Sequence, residues 1–177
     1  MPRIPYLPAD LAEPADVVAA VRARRGGGLL NLDRMLLHSP SFTKGWNAHL
    51  GAVRRELTLE PRLRELAICA VAALNQDAYE HQQHAPEFLA AVGSAAQLGA
   101  LRDPEAAARD SALFDAAERA SIRLATEMTR RVRVSDATFA DVRAALPSER
   151  QVVELVAVIA TFNMVSRFLV ALGVEPE

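Results

Sequence analysis

Apolar positions recur along this chain at steps of three and four rather than two, the spacing of helices that bury one face. Phe42, Trp46, His49, Leu50, Val53 and Leu57 form one such stripe, opened by Ser39 and by Pro40 at the first helical position. Residues 61–74 are apolar nearly all round, which marks a buried helix starting at Pro61. After Asn75-Gln76, residues 77–92 predict another helix, closed by Gly93. Upstream, residues 13–25 predict a helix with Pro14 in its first turn and Gly26-Gly27-Gly28 at its end, and residues 31–38 a short one. Downstream, Ser94 and Gln97 form a capping box for a short helix, and residues 102–105 read as a connector. Residues 109–131 predict a long amphipathic helix with Leu113, Phe114, Ala117, Leu124 and Met128 inward. Ser135 caps a further helix ended by Pro147. Ser148 and Gln151 open the last, which runs to Leu172-Gly173. No segment reads as a strand, so the expected fold class is all-α.

Two of the buried helices share a pattern. Glu60, Glu65-Leu66, an apolar run and Asn75 correspond to Glu149, Glu154-Leu155, an apolar run and Asn163. A pseudo-repeat of two helices crossing in the core is one reading, and chance similarity between two Ala/Val-rich helices is the other. Residues 1–8 carry Pro2, Pro5 and Pro8 and predict an extended arm that packs on its own domain or on a neighbouring subunit. Residues 9–177 fit one helical domain.

Composition agrees with helices: 34 of 177 residues are Ala and only 5% are aromatic, whereas strands favour β-branched and aromatic residues. The net charge of −2 excludes a general nucleic-acid binder, which needs a basic excess. The one cysteine excludes an intramolecular disulfide. The uncharged runs 66–76 and 155–166 fall short of the ~20 apolar residues of a membrane span. The Pro-rich start has no apolar signal region, so a cytoplasmic location and no membrane partner are expected.

Candidate chemistry gathers in residues 62–87. At ~100° per residue, Asp77 and His84 fall within about 20° of one another, and the pairs Glu80–His84 and Asp77–His81 within about 40°. Two carboxylates and two imidazoles then share one side of one helix, while Glu65 and Cys69 share one side of the helix before it. If the two helices form a hairpin, Glu65 faces His84, an arrangement suited to proton transfer because a carboxylate fixes the imidazole that titrates near neutrality. Each residue also has a plainer use. Asp77 at a helix start is an N-cap, Cys69 among Ile68, Ala70 and Val71 is a small core residue, and Arg167 pairs with Glu154 or holds a substrate carboxylate. No metal is expected at Asp77, His81 and His84, because acids and imidazoles on a lone helix are usually solvated.

The stretch from Leu63 to Asn75, followed by Tyr79-Glu80 and His84, resembles the carboxymuconolactone decarboxylase / alkylhydroperoxidase D family, with weaker support from Arg3-Ile4-Pro5, Asn31-Leu32 and Asn163 with Arg167-Phe168. The peroxidase branch of that family carries Glu, eleven residues, Cys-x-x-Cys, three residues and His. Glu65 and His84 match the ends of this motif, whereas Asp77 and Glu80 stand at the two cysteine positions. Disulfide-linked peroxide reduction cannot run without that thiol pair. The resemblance implies an alkylhydroperoxidase D-like helical bundle, trimers or hexamers of the chain, a small-molecule pocket near Glu65 and His84, and the decarboxylase-like branch, which needs no cofactor. The function it implies is a lyase acting on a small lactone or keto acid, with His84 as acid, Glu80 orienting it and Glu65 assisting; Asp77, His81 and Cys69 are further candidates. The alternatives are a peroxidase-related antioxidant working through Cys69, and a non-catalytic oligomeric scaffold.

Overall fold

The structure, a computed structural model, describes all 177 residues, which form ten helices and no strand. They divide into two compact units, Met1–Leu57 with Phe168–Glu177, and Thr58–Arg167.

The first unit holds α1 (Ala15–Arg25), α2 (Asn31–Leu36) and α3 (Pro40–Arg55). Gly26 ends α1 with φ 77°, a left-handed conformation open to glycine at little cost. Val17, Val18 and Leu37 form its apolar centre, with Leu7, Leu11 and Leu29 packed on them. Asp33 is fully buried and neutralised by Arg24 at 3.0 Å and Arg25 at 2.9 Å. The extended arm lies against its own chain: Arg3 N–H donates to the Leu172 carbonyl at 2.8 Å, and the Leu7 carbonyl accepts from Arg34 Nε. On α3, Trp46, Leu50 and Val53 are buried as the stripe predicts. Phe42 is half exposed and stacks on Trp46 and Phe168, and His49 faces outward. These two sit at the margins of the stripe, where the helix face turns to water.

The second unit is built on α4 (Pro61–Leu74), whose residues 65–72 are all buried, as its all-round apolar sequence requires. It packs against α5 (Ala78–Ala90) and α8 (Ala116–Arg131). Between α4 and α5 the chain reverses through Gln76, which adopts φ 54°. The short α6 (Ala95–Ala100) begins with the expected Ser94–Gln97 capping box, and residues 104–107 of the expected connector form a helical turn, α7 (Pro104–Ala107), capped by Asp103. The long helix starts later than its apolar periodicity suggests. Asp115 caps α8 and forms a capping box with Glu118, so residues 109–114 are turns and Leu113 is exposed. Helix α9 (Asp136–Ala145) and α10 (Glu149–Leu172) complete the order. Within this unit α10 buries Leu155, Val158, Ile159 and Phe162. By length and hydropathy α10 could span a bilayer, yet half of its apolar stretch is buried in protein. Asn75 and Asn163, which close the two similar sequence patterns, hydrogen-bond at 3.2 Å.

Candidate active site

The helix reversal at Gln76 turns α5 back along α4 and brings Glu65 to His84. The Glu65 carboxylate accepts from His84 Nδ1 at 2.6 Å, and its other oxygen accepts from Arg64 Nε at 3.0 Å. One turn before His84 on α5, Glu80 Oε2 lies 3.3 Å from His84 Nε2, within ion-pair range although not aligned as a hydrogen bond. The imidazole is therefore held between two carboxylates. The Phe162 ring stands edge-on to it with centroids 4.9 Å apart. All three ionisable groups are buried, His84 almost completely.

Burial alone would favour neutral groups. For His84 that downward pull is outweighed by the Glu65 hydrogen bond, the close Glu80 contact and the charges of both carboxylates, and its pKa stands above the ordinary histidine value. For Glu65 the upward push of burial is outweighed by His84 and Arg64, and its carboxyl titrates below the ordinary value. The pairing thus favours the protonated imidazole at His84 and the ionised carboxylate at Glu65 relative to the same groups in water.

Asp77 has the N-cap role its position suggests: Oδ1 accepts from the Glu80 backbone N–H at 3.1 Å. Its other oxygen, Oδ2, is buried without a hydrogen-bond partner, and the nearby Ser166 hydroxyl stands outside hydrogen-bonding geometry. Burial pushes the Asp77 carboxyl up, with the Glu80 charge adding to it, against the pull of backbone N–H groups and Ser166. Asp77 is therefore more disposed to carry a proton than an ordinary aspartate.

A cleft of about 390 Å³ opens beside these groups. Helix α4 contributes Cys69, Ala72 and Ala73 to its wall, the start of α5 contributes Asp77 and His81, and the end of α6 contributes Leu98, Leu101 and Arg102. Glu65, Glu80 and His84 are not in that wall; Asp77 connects their cluster to it. His81 is exposed in the cleft and stands apart from the Glu65–His84 contact, because three residues along a helix turn a side chain ~60° away from its neighbour's face. Cys69 is buried. Burial, and then the Glu65 and Glu80 charges, push its thiol up to about 12, which leaves almost no thiolate near neutrality. Arg167 lies exposed and donates to the Asn163 carbonyl at 3.0 Å and side chain at 2.7 Å. Glu154 instead accepts from Arg150, from the Thr58 hydroxyl and from the Thr58 and Leu59 N–H groups, so the expected Arg167–Glu154 pair does not form. The cation in the cleft wall, Arg102, carried no sequence signal beyond its charge.

Solved structures share this fold. A peroxidase-related protein from Silicibacter sp. TM1040 superposes with a TM-score of 0.81 at 19% identity, covering 99% of this chain and 92% of its own. An alkylhydroperoxidase core protein from Ralstonia eutropha JMP134, also peroxidase-related, gives the same score, identity and coverage. The debrominase Bmp8, in complex with 2,3,4-tribromopyrrole, superposes at 0.78 with 13% identity over 98% of this chain and 92% of its own. No curated protein sequence matches this one. The fold is thus alkylhydroperoxidase D-like. The sequence model of the carboxymuconolactone decarboxylase family matches residues 40–127, about half of the chain including the whole α4–α5 hairpin, and the protein belongs to that family.

Proposed function

We propose that the protein is a cofactor-independent lyase that removes CO2 from a small lactone or keto acid by proton transfer. The observation that carries this reading is the buried Glu65–His84–Glu80 chain, with Asp77 capping the Glu80 backbone N–H from the wall of a metabolite-sized cleft. Loss of CO2 breaks a carbon–carbon bond and leaves its electron pair on the substrate as an enolate. Asp77 touches the substrate and gives the enolate carbon its proton. His84, kept protonated by its two carboxylate neighbours, restores that proton from behind. Glu80 orients His84, and Glu65 with Arg64 fixes the tautomer and position of the ring. The chemistry needs no thiol, in keeping with Asp77 and Glu80 at the family's cysteine positions. A peroxidase working through Cys69 is disfavoured by that thiol's burial and its pKa of about 12. The chain acts as a homo-oligomer in this reading, supported by the exposed apolar side chains of Val153 and Met164 on α10.

Turnover of γ-carboxymuconolactone and related acids, followed by CO2 release, tests the proposal. Activity in the wild type that falls at least ~100-fold in Asp77→Asn and in His84→Gln supports it. Full activity in both variants removes the mechanism.

A further inference from the structure

The cleft wall is chemically two-ended. Asp77 and Cys69 are nearly inaccessible to solvent and mark its inner part, beside Ala72 and Ala73, whereas His81 and Arg102 are exposed and mark its outer part. Arg102 is the only Lys or Arg in that wall and makes no ion pair; it follows Leu101, the residue that ends α6. The Glu65 and Glu80 charges reach Cys69 at that inner part, so an anionic ligand entering the cleft finds its attraction at the outer end and its repulsion at the inner one.

That asymmetry bears on decarboxylation. In the step proposed above, negative charge leaves the departing carboxylate and moves onto the enolate. A guanidinium bound to the departing group would stabilise the reactant more than the transition state and slow the step. A guanidinium bound to a second carboxylate, whose charge does not change, contributes affinity and orientation without that penalty. The departing group then lies at the inner end, against apolar side chains and Asp77.

We propose that Arg102, assisted by the His81 side chain, holds a carboxylate that the substrate keeps through the reaction, and so selects ligands with an anionic group remote from the reacting carbon. This inference rests on the lyase reading and specifies its substrate class. Arg102 offers the paired N–H geometry that fits a carboxylate, and His81 supplies an N–H donor in either protonation state.

The test is binding, scored apart from turnover. Levulinate, a γ-keto acid that does not readily lose CO2, and its neutral methyl ester are titrated against the full chain by NMR or calorimetry. The wild type is expected to bind levulinate about tenfold more tightly than the ester, the effect of one charge-assisted hydrogen-bonded contact. Arg102→Gln, at an exposed position where folding is unaffected, is expected to erase that preference while ester affinity stays unchanged. Arg102→Lys keeps part of it, since an ammonium retains the charge but not the fork. A wild type without the preference, or a preference that survives Arg102→Gln, overturns the inference. The two readings fail separately. A protein that shows the Arg102-dependent preference but turns over no lactone keeps the carboxylate site and loses the lyase. One that turns over lactone without the preference keeps the lyase and loses the site.

Discussion

Replacing Glu65 by Gln removes one charge from the buried chain with almost no change in shape. Glu65 is 5% exposed and makes two contacts to cations, 2.6 Å to His84 and 3.0 Å to Arg64. Stranding one partner of a buried ion pair costs ~3–5 kcal/mol. Here Glu80, 3.3 Å from the far nitrogen, still compensates His84, so the loss reduces to that of a strong charge-assisted hydrogen bond, about 2–3 kcal/mol. For a chain of this length each kcal/mol moves the melting temperature by roughly 2–4 °C, which gives a fall of about 4–12 °C.

The pH dependence of that loss is more diagnostic than its size. His84 has a raised pKa, so its stabilising contribution is full below its ordinary value of 6.5 and is lost as pH rises through the folded-state value. Glu65 has a lowered pKa, so its contribution is full above 4.5 and is lost as pH falls through the folded-state value. The gap in melting temperature between wild type and Glu65→Gln is therefore widest between 4.5 and 6.5 and narrows on the alkaline side. Thermal unfolding followed by circular dichroism across and above that window measures the gap, and the His84 ring resonances report a lower titration midpoint in the variant. A loss under ~0.5 kcal/mol, the ordinary range for surface substitutions, or a gap that does not change with pH, would refute the account of the pair.

Two other substitutions test neighbouring features. Cys69→Ala costs about 1 kcal/mol as a small core truncation and leaves any lyase turnover in place, and an alkylating reagent near neutral pH leaves the folded wild type unmodified, as mass spectrometry will show. Gly93→Ala forces a methyl group to 2.5 Å from Phe88 Cδ1, inside a fully buried ring packing, and costs about 1–3 kcal/mol by denaturant titration.

The parts of this molecule governed by local chemistry were legible in the chain. Proline at the first helical position sets the starts of α3 and α4, a serine–glutamine box sets α6, and the all-round apolar run of α4 announces its burial. The hairpin that joins Glu65 to His84 entered the sequence reading only as a condition, because helix periodicity does not say how two successive helices pack. The start of α8 was readable too, because Asp115 and Glu118 form a capping box; the apolar residues ahead of it, Leu113 and Phe114, extend the helical spacing into a turn that the box interrupts. Helical-wheel reasoning placed Asp77 and His81 with His84 on one side of α5. Its premise of regular helical geometry does not hold at Asp77, an N-cap with φ −92° and ψ 94°, whose side chain is aimed by non-helical backbone. It also cannot tell which edge of an amphipathic face ends in solvent, and His81 lies beyond that edge. Contacts between distant segments left no pattern to read. Glu154 fastens the chain at Thr58 and Leu59, 96 and 95 residues away, and Arg102 enters the cleft only because of where α6 ends.

A cleft whose inner acids are carboxyl groups has a single oxidation state. Cys69, the sulfur in the cleft wall, is a buried, protonated thiol, and the carboxyl groups beside it cannot form a disulfide. Under the proposed proton-transfer reading, the readiness of the site follows the protonation of these groups rather than a redox state.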